Sequence, residues 1–189
     1  MKVLVTGGAG FIASNLVDSL ISQGHDVVII DNLTTGKEEN INSKATFYKE
    51  DIGNTEGLEK IFAEEKPDIV NHHAAQVDLR RSVGDPLYDA QVNIIGSLNL
   101  INISSTHNVK RFIYASTGGA VYGEPEYLPV DEKHIVDPQS QYGVSKHTVE
   151  HYLFVFRQTH NLSYTVLRYP NVYGPRQDPH GEAGVVAIF

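Results

Sequence analysis

Near the start of the chain, Val3-Leu4-Val5-Thr6 runs straight into Gly7-Gly8-Ala9-Gly10, and Phe11, Ile12, Leu16 and Leu20 then recur at helical spacing. No other stretch limits the fold so narrowly. An apolar run this short and β-branched reads as a buried strand, and the segment from Phe11 onward reads as an amphipathic helix. Strand, glycine turn and helix together present backbone N–H groups and a helix N-terminus to a phosphate. Gly7 permits the tight turn, Gly10 lets a pyrophosphate approach the backbone, and Ala13 stands where a small residue allows close helix–strand packing. The spacing is Gly-x-x-Gly-x-x-Ala rather than the dehydrogenase Gly-x-Gly-x-x-Gly.

The same alternation continues. A second strand over residues 27–31 ends in Asp31, 24 residues after Gly7. That is close to the roughly 20-residue spacing of a carboxylate that grips an adenine-side ribose. Its charge accepts from ribose hydroxyls and repels a 2′-phosphate, which favours NAD over NADP. A third strand covers Thr46-Phe-Tyr-Lys; Leu58, Ile61 and Phe62 have helical spacing, and Pro67 stops that helix. Strands at 68–71, 111–115 and 164–168 alternate with helices at 87–108 and 139–160. This order predicts an α/β protein, a doubly wound parallel sheet with helices on both faces. Residues 1–175 form the dinucleotide-binding domain, and 176–189 open a further region, with 184–189 patterned as the start of a helix.

Composition narrows the function. A net charge of −8 with no basic stripe excludes a general nucleic-acid or anionic-membrane binder. There are no cysteines, so thiolate metal sites and cysteine nucleophiles are out. No apolar run approaches the roughly 20 residues of a membrane span, and the apolar start breaks into glycine too early for a signal peptide. A cytoplasmic protein is expected.

The chemistry centres on Tyr142 and Lys146, four apart and so on one helix face. A phenol is a poor base at neutral pH, and a nearby ammonium stabilises its phenolate. Ser116 or Thr117, at the end of the fifth strand, supplies a hydroxyl to orient a substrate oxygen. Asp51-Ile52 is an acid and an apolar residue placed to bracket an adenine, and Ala74-Ala75 suit close approach of a flat ligand to a strand end. Asn93 is polar within an otherwise apolar helix face. His72-His73 point to opposite faces of a strand and His147/His151 lack a third ligand, so no metal site is expected. Arg80-Arg81 reads as a solvated loop pair.

Taken in order, Thr6–Ala13, Asp31-Asn32, Asp51-Ile52, His72–Gln76, Asn93, Ser116–Gly123, Tyr142-Gly-Val-Ser-Lys146 and Arg168-Tyr-Pro-Asn171-Val-Tyr-Gly-Pro resemble the extended short-chain dehydrogenase/reductase family, and within it the UDP-glucose 4-epimerases and related nucleotide-sugar epimerases. The resemblance implies a tightly held NAD and a UDP-sugar substrate. Epimerisation at C4 would pass through transient oxidation, with Tyr142, Lys146 and Thr117 or Ser116 as the catalytic set. It assigns NAD contacts to Gly7, Gly10, Phe11, Ile12, Asp31, Asn32, Thr35, Gly36, Asp51, Ile52, Ala74, Ala75, Gln76, Asn93, Tyr142, Lys146, Tyr169 and Pro170. Substrate contacts fall to Thr117, Tyr142 and Asn171, and a homodimer through paired helices is implied.

Two departures stand out. Counting back from Tyr142 selects Thr117, whereas counting back from Val121-Tyr122-Gly123 lands on Gly118; Thr117 is the expected hydroxyl and Ser116 the second choice. Relatives also continue into a smaller C-terminal substrate region, so the chain is expected to be shortened relative to them. The alternatives are a nucleotide-sugar decarboxylase, a dehydratase, or an inactive NAD-binding fragment. Gly118-Gly119 stands where a dehydratase carries its proton donor, which weighs against elimination.

Overall fold

The computed structural model describes residues 1–179 and 185–188. Six parallel strands form one sheet, β1 (Lys2–Thr6), β2 (Asp26–Asp31), β3 (Thr46–Lys49), β4 (Ile69–His72), β5 (Arg111–Thr117) and β6 (Tyr164–Tyr169), in spatial order β3-β2-β1-β4-β5-β6. The order reverses between β1 and β4, and a doubly wound sheet opens a crevice at the carboxyl ends of its strands at such a point. β1 and β2 read as continuous apolar runs because both of their faces are covered. Helices α1 (Phe11–Ser22), α2 (Thr55–Glu65) and α7 (Gln141–His160) pack on the sheet.

Two apolar clusters lie on either side of the sheet. One joins Leu4, Val28, Val70 and Phe112 to Leu58, Phe62, Leu100, Ile101, Val149 and Leu153. The other joins Val3, Val5, Val27 and Ile29 to Ala13 and Val17 of α1. Alternate strand residues serve opposite clusters, as the two-residue period of a strand requires.

The expected helix over 87–108 is built in three pieces: α4 (Pro86–Ala90), a π-helical turn over Gln91–Gly96, and α5 (Ser97–Thr106). Asp85 caps α4 by accepting from the Tyr88 N–H, and Pro86 sits at its first turn, where a missing N–H costs nothing. Arg80 and Arg81 are not on an open loop. They lie on α3 (Leu79–Gly84), where the Arg81 guanidinium stacks 3.8 Å above the Tyr88 ring. Asp78 caps that helix by accepting from the Arg81 N–H, a local bond that loop-like composition conceals. After β5 comes a single turn, α6 (Gly118–Val121), and after β6 the chain crosses back to α1, where Asn15 donates to the Pro175 carbonyl at 3.0 Å and Arg176 pairs with Asp18 at 2.6 Å. The last described helix is α8 (Val185–Ile188); Gly184 and Phe189, the ends of the expected segment, lie outside the described residues.

Candidate active site

At the end of β1, Gly7 has φ +70°, and a Cβ there would stand 2.8 Å from the Ala74 amide nitrogen. Both conditions demand glycine. The glycine turn is thereby pressed against the end of β4, which brings Ala74 and Ala75 to the switch point. Gly10 caps α1 with no side-chain hydrogen bond, so the first N–H groups of that helix stay open to an anionic group. Phe11 and Ile12 come next, both half-buried.

Asp31 is buried and anchored. Its Oδ2 accepts from the Ala9 N–H at 3.0 Å and its Oδ1 from the Leu33 N–H at 2.8 Å. A carboxylate has about four acceptor positions, so two remain open to further donors. Gly36 abuts it, since a Cβ would lie 2.8 Å from Asp31 Oδ1, while Thr35 is exposed beside it. Asn32 donates to Asp51 Oδ2 at 2.6 Å and so ties the second-strand loop to the third. Ile52 packs into the core against Gly96, leaving Asp51 exposed above it.

The two histidines at the end of β4 have separate tasks. Ser97 Oγ donates to the Asn93 carbonyl at 2.6 Å. His72 Nε2–H must therefore donate to Ser97 Oγ, at 2.9 Å, and His72 Nδ1 accepts from Thr6 Oγ1 at 2.7 Å. Both ring nitrogens are taken by protein, and burial holds the ring neutral, with its pKa far below the usual value. His73 points the other way and stacks on Tyr169; burial, with the charge of Lys146, pushes its pKa down to about 4.

Asn93 sits in the π-helical turn. It accepts from the Gln76 N–H and donates to the Gln76 carbonyl, both at 2.9 Å, and donates to Asp89 Oδ1 at 3.0 Å. Gln76 is thus fixed by its backbone as well as by its side chain.

Ser140 caps α7 by accepting from the Gly143 N–H, and this starts the helix just ahead of Tyr142. Gly143 is needed for closeness, because a Cβ there would collide with the Ala120 carbonyl of α6. Lys146 is only 3% exposed and its Nζ lies 4.5 Å above the ring of Tyr114. Burial lowers its pKa to about 7, against the raising effects of Glu150 and Asp89. Burial, together with the charge of Asp89, pushes the Tyr142 phenol up to about 12.

The two candidate hydroxyls diverge. Ser116 Oγ donates to Glu150 Oε1 at 2.5 Å on the face where Arg168 clamps Glu150 with Nε and Nη2 and reaches the Tyr122 hydroxyl at 2.9 Å. Thr117 is the next residue and so points to the other face; it is half-buried and makes no side-chain cap to α6. It pairs in register with Tyr169, whose hydroxyl lies 3.5 Å from His73 Nε2. Pro170 and Asn171 are exposed beyond that strand end, with Asn171 beside Gly119.

Sequence reading missed Asp89, Glu150 and Ser145. Asp89 lies four residues before Asn93, and Glu150 four after Lys146, so helical spacing was the available signal. Nothing local distinguishes them from the many other acids at such spacing.

The family model described as the NAD dependent epimerase/dehydratase family matches residues 3–189. The UDP-glucose 4-epimerase of Mycolicibacterium smegmatis is 45% identical over 194 residues, with 100% of this chain and 62% of that protein covered. Among solved structures, UDP-glucose 4-epimerase from Thermotoga maritima with UDP-glucose superimposes with a TM-score of 0.97 at 52% identity, covering 100% of this chain and 61% of that one. UDP-glucose 4-epimerase from Thermus thermophilus in complex with NAD gives 0.96 at 50% identity, again over 100% and 61%. The chain therefore spans about three fifths of the length of these relatives.

Proposed function

The chain belongs to the NAD dependent epimerase/dehydratase family, and from that membership we propose that it serves a nucleotide-sugar 4-epimerase of the UDP-glucose/UDP-galactose type. The observation that carries this reading is the pairing of Tyr142 with a fully buried Lys146 on one helix face, beneath a sheet edge that also holds the glycine turn and Asp31. The residues present fit the dinucleotide. Gly7 leaves the turn tight, the N-terminus of α1 is open, and Asp31 keeps acceptor positions free for an unphosphorylated ribose.

Bound NAD would supply the acceptor for a hydride from C4 of the sugar, and a positive ring charge. Tyr142 takes the proton of the sugar 4-hydroxyl and later returns it. Thr117 holds that oxygen, because Ser116 is committed to Glu150. Lys146 stabilises the phenolate and reaches the nicotinamide-side ribose. Asn171 contacts the diphosphate of the sugar nucleotide. The assignment of 1–175 to dinucleotide binding and 176–189 to the start of a substrate region belongs to the same reading. Elimination is disfavoured, since Gly118-Gly119 offer no proton donor after Thr117.

A homodimer is part of the proposal. Leu87 (82% exposed) and Ile95 on α4 and the π-helical turn, with Val144 and Val155 on α7, leave apolar side chains in water along two helices. A second copy of the chain is the occupant that a self-complementary pair of such helices suits. No described helix is long and apolar enough to cross a membrane, and a cytoplasmic setting is the one we propose.

The deciding experiment replaces Tyr142→Phe in the full-length protein and assays interconversion of UDP-glucose and UDP-galactose alongside NAD binding. Turnover should fall by at least about three orders of magnitude with NAD affinity retained. Unchanged turnover would refute the assignment.

A further inference from the structure

Asp89 takes no part in the proposed reaction, yet its carboxylate is 0% exposed. Burying a carboxylate is costly unless donors meet its oxygens. Three do: Ser145 Oγ at 2.6 Å on Oδ2, and Asn93 Nδ2 at 3.0 Å and Gln76 Nε2 at 3.4 Å on Oδ1. None of these donors is a cation, so they satisfy the oxygens without cancelling the charge. Each also sits on a segment that builds the site. Ser145 lies between Tyr142 and Lys146 on α7, Asn93 lies in the π-helical turn, and Gln76 comes shortly after β4.

Lys146 holds its Nζ above the Tyr114 ring of β5 and shares a helix face with Tyr142, while the charges of Asp89 on α4 and Glu150 one turn on in α7 act on it and its own charge acts on His72 and His73 at the end of β4. Both histidines are held neutral by burial, and Tyr114 by the same cause. Glu150 is already clamped by the Arg168 guanidinium through three hydrogen bonds. Among the described residues, Asp89 is therefore the facing anion whose charge has no cation of its own.

We propose that Asp89 is a positioning residue: through Ser145 it fixes the turn of α7 that carries Tyr142 and Lys146, and through its unspent charge it keeps the proton on Lys146. This rests on the reading of Tyr142 and Lys146 as the reacting pair. The charge matters because burial alone drives Lys146 towards its neutral form, and only Glu150 and Asp89 oppose it. A neutral lysine gives a phenolate no electrostatic support. The role has no counterpart in the sequence pattern, since Asp89 and Ser145 are 56 residues apart.

The test follows the Lys146 ammonium by nitrogen-detected NMR titration in the full-length protein, for the wild type, Asp89→Asn and Ser145→Ala. In Asp89→Asn the Lys146 midpoint should fall by at least about one pH unit, and the alkaline limb of the kcat–pH profile should move down with it. In Ser145→Ala, which keeps the charge but releases the turn of α7, the midpoint should stay within about 0.3 of the wild type while kcat falls across the pH range. An unmoved midpoint in Asp89→Asn, an equal shift in Ser145→Ala, or an unchanged kcat in Ser145→Ala would overturn the proposal. Should the Asn variant fail to fold, Asp89→Ser keeps a hydrogen-bonding group with room for water and carries the same readings. The titration needs no turnover, so its outcome stands apart from whether the chain epimerises a sugar.

Discussion

Tyr142 is poorly prepared as a base when the chain is alone. Burial disfavours its charged form and the Asp89 carboxylate repels it, so the pKa stands near 12. In the absence of NAD it should remain a phenol at pH 10, where an ordinary tyrosine is about half ionised. The phenolate absorbance difference between wild type and Tyr142→Phe measures this, and a full Tyr142 signal at pH 10 would contradict it. Gly7 carries a second prediction. Gly7→Ala combines a left-handed φ with a Cβ 2.8 Å from the Ala74 nitrogen, so it should cost about 1–3 kcal/mol in urea unfolding and abolish NAD binding. Gly7 was legible in the sequence because its demand is local: a turn between strand and helix. Which of Ser116 and Thr117 bonds Glu150 was not, because it depends on which face of β5 meets Glu150, and neither motif count reports that.

Elements show the same division. The strands and α7 could be read from apolar runs and helical spacing, whereas the helix expected over 87–108 carries a π-helical turn within it. Asn93 lies in that turn and reaches the backbone of Gln76 17 residues away, a bond no local propensity encodes. At the other side of the site, Arg168 of β6 and Glu150 of α7 join strand to helix. Burial alone would raise the Glu150 pKa, but hydrogen bonds from Arg168 and Ser116 outweigh it and the net shift is downward. The folded value thus lies below the unfolded one of 4.5, and the contribution of the pair is fully present above 4.5 and lost as pH falls through the lower folded value. Arg168→Met should destabilise by about 3 kcal/mol at pH 7, the low end for a buried pair because Arg168 is 21% exposed. Unfolding in urea at pH 7 and below pH 4 should show the deficit shrinking with acid.

At the scale of the whole molecule, the sheet order β3-β2-β1-β4-β5-β6 brings residues from six strand ends to one edge. The apolar side chains left exposed on α4, the π-helical turn and α7 predict self-association. Equilibrium sedimentation of the full-length protein should give a dimer at micromolar concentration, and Val155→Glu should return it to a monomer; a monomeric wild type would remove the dimer from the account. By itself the sequence determined the alternation of strand and helix, the glycine turn, the acid that ends β2 and the Tyr142/Lys146 face, because each depends on residues within a few turns of one another. Only the tertiary structure decided which hydroxyl bonds Glu150, how Asn93 meets Gln76 from a π-helical turn, and how a carboxylate at position 89 comes to lie against a serine at 145. Those outcomes arise from burial and from contacts between distant segments, and the free energy of a buried polar group depends on the partners that folding brings to it.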